Sequence, residues 1–175
     1  MGYDISTRLV DKDKAEAFAR KYGYKYMFDE TTGEYNGDAA PYFRANIWGM
    51  GTIRRALFNI YQGSQYKNEV NDGKLVEILN KFSWNDGTHV TVKDCEFLIR
   101  LWDKDKAIDS VMLEVHDAIE EDKDYLKSHK YDEEKKEFVP YTATVDEVVN
   151  SKVALIEEFV DYLGVAKEHD GCLVW

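Results

Sequence analysis

One stretch of the chain concentrates side chains that could bind an anion. Residues 41–65 read PYFRANIWGMGTIRRALFNIYQGSQ, and the window 39–68 around them contains no Asp or Glu. Four basic residues give this window a charge of +4, namely Arg44, Arg54, Arg55 and Lys67. The whole chain carries −11, so the other residues carry −15. A basic window in so acidic a protein is the first place to look for an anionic ligand.

The beginning of this stretch predicts a strand over residues 42–48 whose two faces differ. Side chains alternate across a strand, so Phe43, Ala45 and Ile47 share one face, which is apolar and suited to the core. The other face combines hydrogen-bonding groups with flat aromatic rings, as a ligand-facing strand requires. It carries Tyr42, Arg44, Asn46 and Trp48.

The next residues, Gly49-Met50-Gly51, predict a tight turn into a helix that Thr52 caps. Arg54 and Arg55 would then lie in the first helical turn, where each opposes the helix dipole by about 0.3–1 kcal/mol. A bound phosphate or carboxylate would reverse that effect. We therefore predict an anion site with Trp48 or Tyr42 stacking on an attached ring. Its residues are Tyr42, Arg44, Asn46, Trp48, Thr52, Arg54 and Arg55.

Two familiar phosphate-binding motifs do not fit this segment. The dinucleotide fingerprint needs a third glycine where Arg54 stands, and the Lys-Ser/Thr pair of a P-loop is missing. A purely structural interpretation also stays open. The glycines would then only form a turn, and the arginines would pair with the surplus carboxylates of neighbouring elements.

The rest of the chain predicts neither a metal site nor a catalytic centre. His116 and Glu120 have the spacing of a ligand pair on one helix, but a third ligand is lacking, and the pair His169-Asp170 lies far along the chain. No Gly-x-Ser-x-Gly elbow is present. Cys95 and Cys172 lie in unrelated sequence contexts, and we expect reduced, buried thiols. No cofactor is predicted, and catalysis is not favoured.

Composition indicates one cytoplasmic α+β domain over residues 1–175. Apolar residues make up 44% of the chain and there are only two prolines, which together favour a real core over disorder. No apolar run approaches the ~20 residues of a membrane span. The charge of −11 opposes direct binding to nucleic acid or to an anionic membrane.

The order of the predicted elements favours α+β over alternating α/β, because strands come early and helices late. We expect a small, mostly antiparallel sheet packed by four to six helices. Strands are predicted at 3–9, 42–48 and 172–175, with hairpins at 24–35 and around 131–137. Helices are predicted at 11–22, from 52, at 74–82, 91–102 and 105–125, and from 144, with Gly164 as a break.

Two functions follow from these residues. The first is a non-enzymatic binding or regulatory protein that holds an anionic, nucleotide-like small molecule at the 42–55 segment. The alternative is an acidic interaction module, an inhibitor or immunity-like protein such as a phage can encode, that docks a basic protein partner. Its surface would include the charged, tyrosine-containing segment 125–137 and the outer face of the last helix.

Overall fold

The computed structural model describes residues 2–7, 11–36, 40–68, 70–168 and 170–175. These residues form an α+β fold with six α-helices and two small antiparallel sheets, which confirms the predicted class. The helices are α1 (Lys12–Tyr22), α2 (Ile47–Gln62), α3 (Asp72–Asn80), α4 (Val92–Leu101), α5 (Lys104–Glu121) and α6 (Val145–Ala166). The strands are β1 (Gly2–Ser6), β2 (Tyr42–Asn46), β3 (Thr88–Val90), β4 (Lys127–Asp132), β5 (Glu137–Thr142) and β6 (Cys172–Val174).

The larger sheet has the strand order β2-β1-β6-β3, and every pair is antiparallel. The predicted early strands and the C-terminal strand are therefore confirmed as neighbours. Strand β1 ends at Ser6, so the predicted range is one residue too long at Thr7, and its last two residues, 8–9, lie outside the described part of the chain. Strand β3 was not predicted, because a three-residue strand carries too little periodicity to be seen in a sequence.

Local capping interactions set the ends of several helices where the sequence predicts them. The Asp11 side chain accepts a hydrogen bond from the backbone N–H of Lys14, and Gly23 ends α1 in the left-handed conformation. Thr91 and Thr144 both form complete capping boxes. Helix α6, by contrast, runs straight through Gly164, so the break predicted there is wrong.

Helix α6 is the centre of the core. It packs against α1, α2, α4, α5 and β2. Phe159 on this helix is fully buried, and its ring packs edge-on against Phe43 of β2 at 5.3 Å and against Phe82 at 5.1 Å. These aromatic contacts join the helical layer to the sheet.

Strands β4 and β5 form a hairpin that projects from the rest of the fold. Their side chains are exposed or half-buried, and Tyr131 and Phe138 face each other across the strands at 5.3 Å. The hairpin predicted around 131–137 is therefore confirmed. The earlier predicted hairpin is reduced to a 3₁₀ turn, Lys25–Met27, and a single bridge between Phe28 and Tyr35.

The two cysteines are adjacent in space, although the sequence separates their contexts. Both are buried and free, and their thiols hydrogen-bond to each other. The reason is the register of the sheet, since Val90 of β3 pairs with Cys172 and the chain then turns directly into α4, which carries Cys95. That hydrogen bond, together with burial, raises the pKa of Cys172 well above its ordinary value.

Among the described residues, every helix is too short or too polar to serve as a transmembrane segment.

We expect Cys172 in the folded protein to react with iodoacetamide more than about tenfold more slowly than free cysteine near pH 8. A raised pKa lowers the thiolate fraction, and burial blocks access. Mass spectrometry of the alkylated protein measures this, with urea-unfolded protein as the control that labels both thiols. Rapid labelling of Cys172 in the folded protein would contradict its burial in the core.

Candidate ligand-binding groove

The cap of helix α2 lies six residues before the predicted one, at Asn46 instead of Thr52. Strand β2 ends at Asn46, whose side chain accepts a hydrogen bond of 2.7 Å from the backbone N–H of Gly49, so Asn46 is the cap. The predicted strand through Trp48, the Gly-Met-Gly turn and the Thr52 cap are therefore wrong. Ile47, predicted to face the core, opens the helix and is half exposed.

The two glycines serve packing and helix continuity instead of a turn. A Cβ on Gly49 would lie 2.8 Å from Cδ2 of Leu155, so glycine lets the start of α2 approach α6 closely. A Cβ on Gly51 would meet nothing within 4 Å. Five apolar residues of this helix have the sequence spacing i, i+3, i+4, i+7 and i+8, which predicts one buried helical face. That prediction is confirmed, since all five are buried. They are Ile53, Ala56, Leu57, Ile60 and Tyr61.

The earlier helix start removes the predicted conflict between the arginines and the helix dipole. Arg54 and Arg55 lie beyond the first two turns of α2, where the dipole has little effect. Arg54 Nη2 donates a 2.9 Å hydrogen bond to Oδ1 of Asn80 in α3. Its buried Nε has no hydrogen-bond acceptor among the described residues.

Arg54 also differs from other arginines in its charge environment. Salt bridges between described residues involve Arg20, Arg44 and Arg55, but not Arg54. The residue as a whole is half-buried and its Nε is buried, while its Nη2 is paired at the surface with the neutral amide of Asn80. A partly buried cation without a local counter-charge is a place where a bound anion would be stabilised.

Arg54 and Arg55 line a groove of about 710 Å³ between α2 and α5. Two more of the predicted site residues, Trp48 and Thr52, line the same groove. Side chains distant in sequence complete it, and sequence reasoning did not find them. Those with polar or aromatic groups are Tyr3, Glu114, Asp117, Glu121, Tyr125 and Lys152.

A hydrogen-bonded network links the three helices around the groove. Thr52 Oγ1 donates to Oε1 of Glu114 at 2.8 Å. Lys152 Nζ donates to the same carboxylate oxygen at 2.7 Å and to Thr52 Oγ1 at 3.1 Å. The second oxygen of Glu114 lies 3.8 Å from Nη1 of Arg55. Thr52 is thus a buried anchor of this network and not a helix cap.

The other three predicted site residues do not line the groove. Tyr42 packs against Tyr26, with ring centroids 5.8 Å apart. Arg44 lies 3.4 Å from the carboxylate of Asp4, its partner across β1 and β2. Asn46 is used as the cap of α2. Their predicted exposure on the outer face of β2 is nevertheless confirmed.

The groove is lined by three positive and three negative side chains. They differ in whether they form ion pairs with one another. Lys152 and Arg55 are both engaged by Glu114, which leaves Arg54 as the cation with a neutral partner. Asp117 and Glu121 add carboxylate oxygens that can accept hydrogen bonds. Trp48, 81% exposed, offers a flat ring at the edge of the groove.

One sequence pattern could have predicted the groove residues that lie on α5. Glu114, Asp117 and Glu121 follow the spacing i, i+3, i+7, which places three carboxylates on one face of α5. No comparable signal marks Lys152. The metal pair considered at His116 gains no further ligand, since the described residues contain no group of three His, Cys, Asp or Glu side chains arranged around a cation. His169 lies outside those residues.

The chain matches no protein-family model, and comparisons with curated proteins and with solved structures give no match either. The function must therefore be inferred from the groove itself.

The substitution Gly51→Ala tests the local structure of the groove. If residue 51 is helical and its Cβ is unobstructed, alanine should stabilise the protein by about 0.5–1 kcal/mol. Chemical denaturation measures the change in the free energy of unfolding. Gly49→Ala is the comparison, where contact with Leu155 should offset the gain. Destabilisation by Gly51→Ala would show that this residue is in a turn and not in a helix.

Proposed function

We propose that the protein binds a small anionic ligand, of the nucleotide type, in the groove between α2 and α5, and that it acts by binding and not by catalysis. The observation that carries this proposal is the charge environment of Arg54. The chain has 34 acidic and 23 basic residues, yet none of the described carboxylates forms a salt bridge with this guanidinium. A phosphate or carboxylate would supply the missing counter-charge with strong, charge-assisted hydrogen bonds.

The remaining lining side chains suit the other parts of such a ligand. Trp48 can stack on a base or another planar ring. Asp117 and Glu121 can accept hydrogen bonds from the hydroxyl or amino groups of a nucleoside. A volume of about 710 Å³ falls within the range of about 300–1,000 Å³ that small-molecule sites occupy. These features favour a ligand with both an anionic end and hydrogen-bond donors.

The second candidate function, an acidic module that docks a basic partner, finds little support in the segment 125–137. Its four acidic residues are matched by four lysines. Two of the lysines lie within salt-bridge distance of acids in the same hairpin, Lys135 with Asp132 and Lys136 with Glu133. A basic partner would therefore meet carboxylates that already have cations beside them.

Isothermal titration of the full chain with ATP, GTP and inorganic phosphate tests the first proposal. We expect Arg54→Gln to weaken binding of the best nucleotide at least about tenfold, because a charge-assisted hydrogen bond contributes about 1.5–3 kcal/mol. Arg44→Gln is the matched control, since it removes the same charge from an exposed arginine outside the groove. It should change the dissociation constant less than about twofold at about 150 mM salt.

Two results would contradict the proposal. One is the absence of any nucleotide or phosphate binding at millimolar ligand concentration. The other is an equal loss of affinity in the Arg44 and Arg54 variants, which would indicate nonspecific attraction to positive charge.

A further inference from the structure

Three tyrosine rings form a row on the surface beside the exposed face of β2. Tyr24 and Tyr26 come from the turn after α1, and Tyr42 begins β2. Their neighbouring ring centroids are 5.7 and 5.8 Å apart, with interplanar angles of 33° and 36°. Tyr26 is 57% exposed and Tyr42 is 39% exposed. The rings of Tyr26 and Tyr42 are therefore accessible, whereas Tyr24 is half-buried and packs against the core.

A carboxylate of α6 adjoins this tyrosine row. The hydroxyl of Tyr24 donates a hydrogen bond to Oε1 of the half-buried Glu158. Neighbouring carboxylates on the same helix have cations. Glu157 lies 3.3 Å from Lys21 and 3.0 Å from Lys104, and Asp161 lies 2.6 Å from Lys21. Within the described part of the chain Glu158 forms no salt bridge, and the group that contacts its carboxylate is the neutral hydroxyl of Tyr24.

A second tyrosine–carboxylate pair on the same helix, Tyr22 with Asp161, includes a cation from the chain itself. The hydroxyl of Tyr22 donates to Asp161 at 2.6 Å, as that of Tyr24 does to Glu158. At the Tyr22 position a cation is supplied by the chain itself, because Lys21 Nζ lies 2.6 Å from Asp161 and 5.1 Å from the centre of the Tyr22 ring. The Tyr24–Glu158 pair lies about one helical turn away on α6 and has the same tyrosine–carboxylate hydrogen bond. Among the described residues, no lysine or arginine forms a salt bridge with Glu158.

We infer that the tyrosine row and Glu158 form a docking surface for an arginine or lysine side chain of a partner protein. The cation would lie over an aromatic face, where cation–π attraction acts within about 6 Å, and would be neutralised by Glu158. The chain's net charge of −11 steers a basic partner toward it.

A protein partner fits this surface better than a free small cation does. The rings follow one another as a row with small interplanar angles, whereas free ammonium ligands are held in cages of converging rings. Exposed tyrosines are also typical anchors of protein interfaces. This surface is one on which an acidic module could dock a basic partner, and its binding does not depend on whether the groove binds an anion.

Nuclear magnetic resonance of the nitrogen-15-labelled full chain can test this surface. The probe is a blocked glycine-rich peptide with two arginines, titrated at about 150 mM salt to limit nonspecific attraction. We expect amide shifts concentrated at residues 24–26, 42 and 158. Glu158→Gln should weaken peptide binding by about fivefold or more, since it removes the charge but keeps the size of the side chain.

Matched variants separate a specific surface from general acidity. Glu157→Gln removes the same charge one residue away, from a carboxylate that already has two lysines, and should change affinity less than about twofold. Tyr26→Ser, at an exposed position, should weaken binding without unfolding the protein. Arg54→Gln should leave peptide binding unchanged, which keeps this test distinct from that of the groove.

Three outcomes would overturn the inference. Shifts spread over all acidic surfaces, or equal losses in the Glu157 and Glu158 variants, would mean that only net charge attracts the peptide. No binding of the peptide at millimolar concentration would remove the surface altogether. Tighter binding of choline than of the peptide would assign the site to a small cation instead of a protein side chain.

Discussion

Burial of helix α6 is the constraint on which the rest of this structure depends. The helix is surrounded by α1, α2, α4, α5 and β2, so each of these elements is positioned by covering one of its sides. Phe159 carries much of this packing, because its ring meets Phe43 of the sheet and Phe82 beyond α3. Burying a phenylalanine contributes about 1.5–3 kcal/mol, so loss of this contact would weaken both layers at once.

The same helix also positions both candidate sites. Gly49 allows α2 to approach Leu155, and this close contact brings Lys152 within hydrogen-bond distance of Thr52 and Glu114. Further along α6, a different face places Glu158 beside the tyrosine row. Helix α6, with nine of its 22 residues buried, thus also presents Lys152 to Thr52 and Glu114 and presents Glu158 to Tyr24.

Both candidate sites depend on charges that lack a local counterpart. Several charged side chains near them are paired, as Asp4 is with Arg44 and Glu157 is with Lys104. Arg54 and Glu158 instead contact neutral groups, an amide and a hydroxyl. A partly buried charge loses hydration, so a ligand of opposite charge is stabilised more strongly there than at an exposed salt bridge.

The sequence by itself determined the α+β class, the helix starts at Thr91 and Thr144, the alternation of β2 and the buried stripe of α2. Each of these depends on residues a few positions apart, so local hydrogen bonds and side-chain periodicity decide them. Only the tertiary structure decided that Asn46 and not Thr52 caps α2, because both are good caps and the close contact of Gly49 with Leu155 comes from α6. The tertiary structure likewise placed the free thiols of Cys95 and Cys172 next to each other, and it formed the groove from α2, α5 and Lys152. Those contacts cross long stretches of chain, and burial of the whole core, not any local preference, brings their residues together.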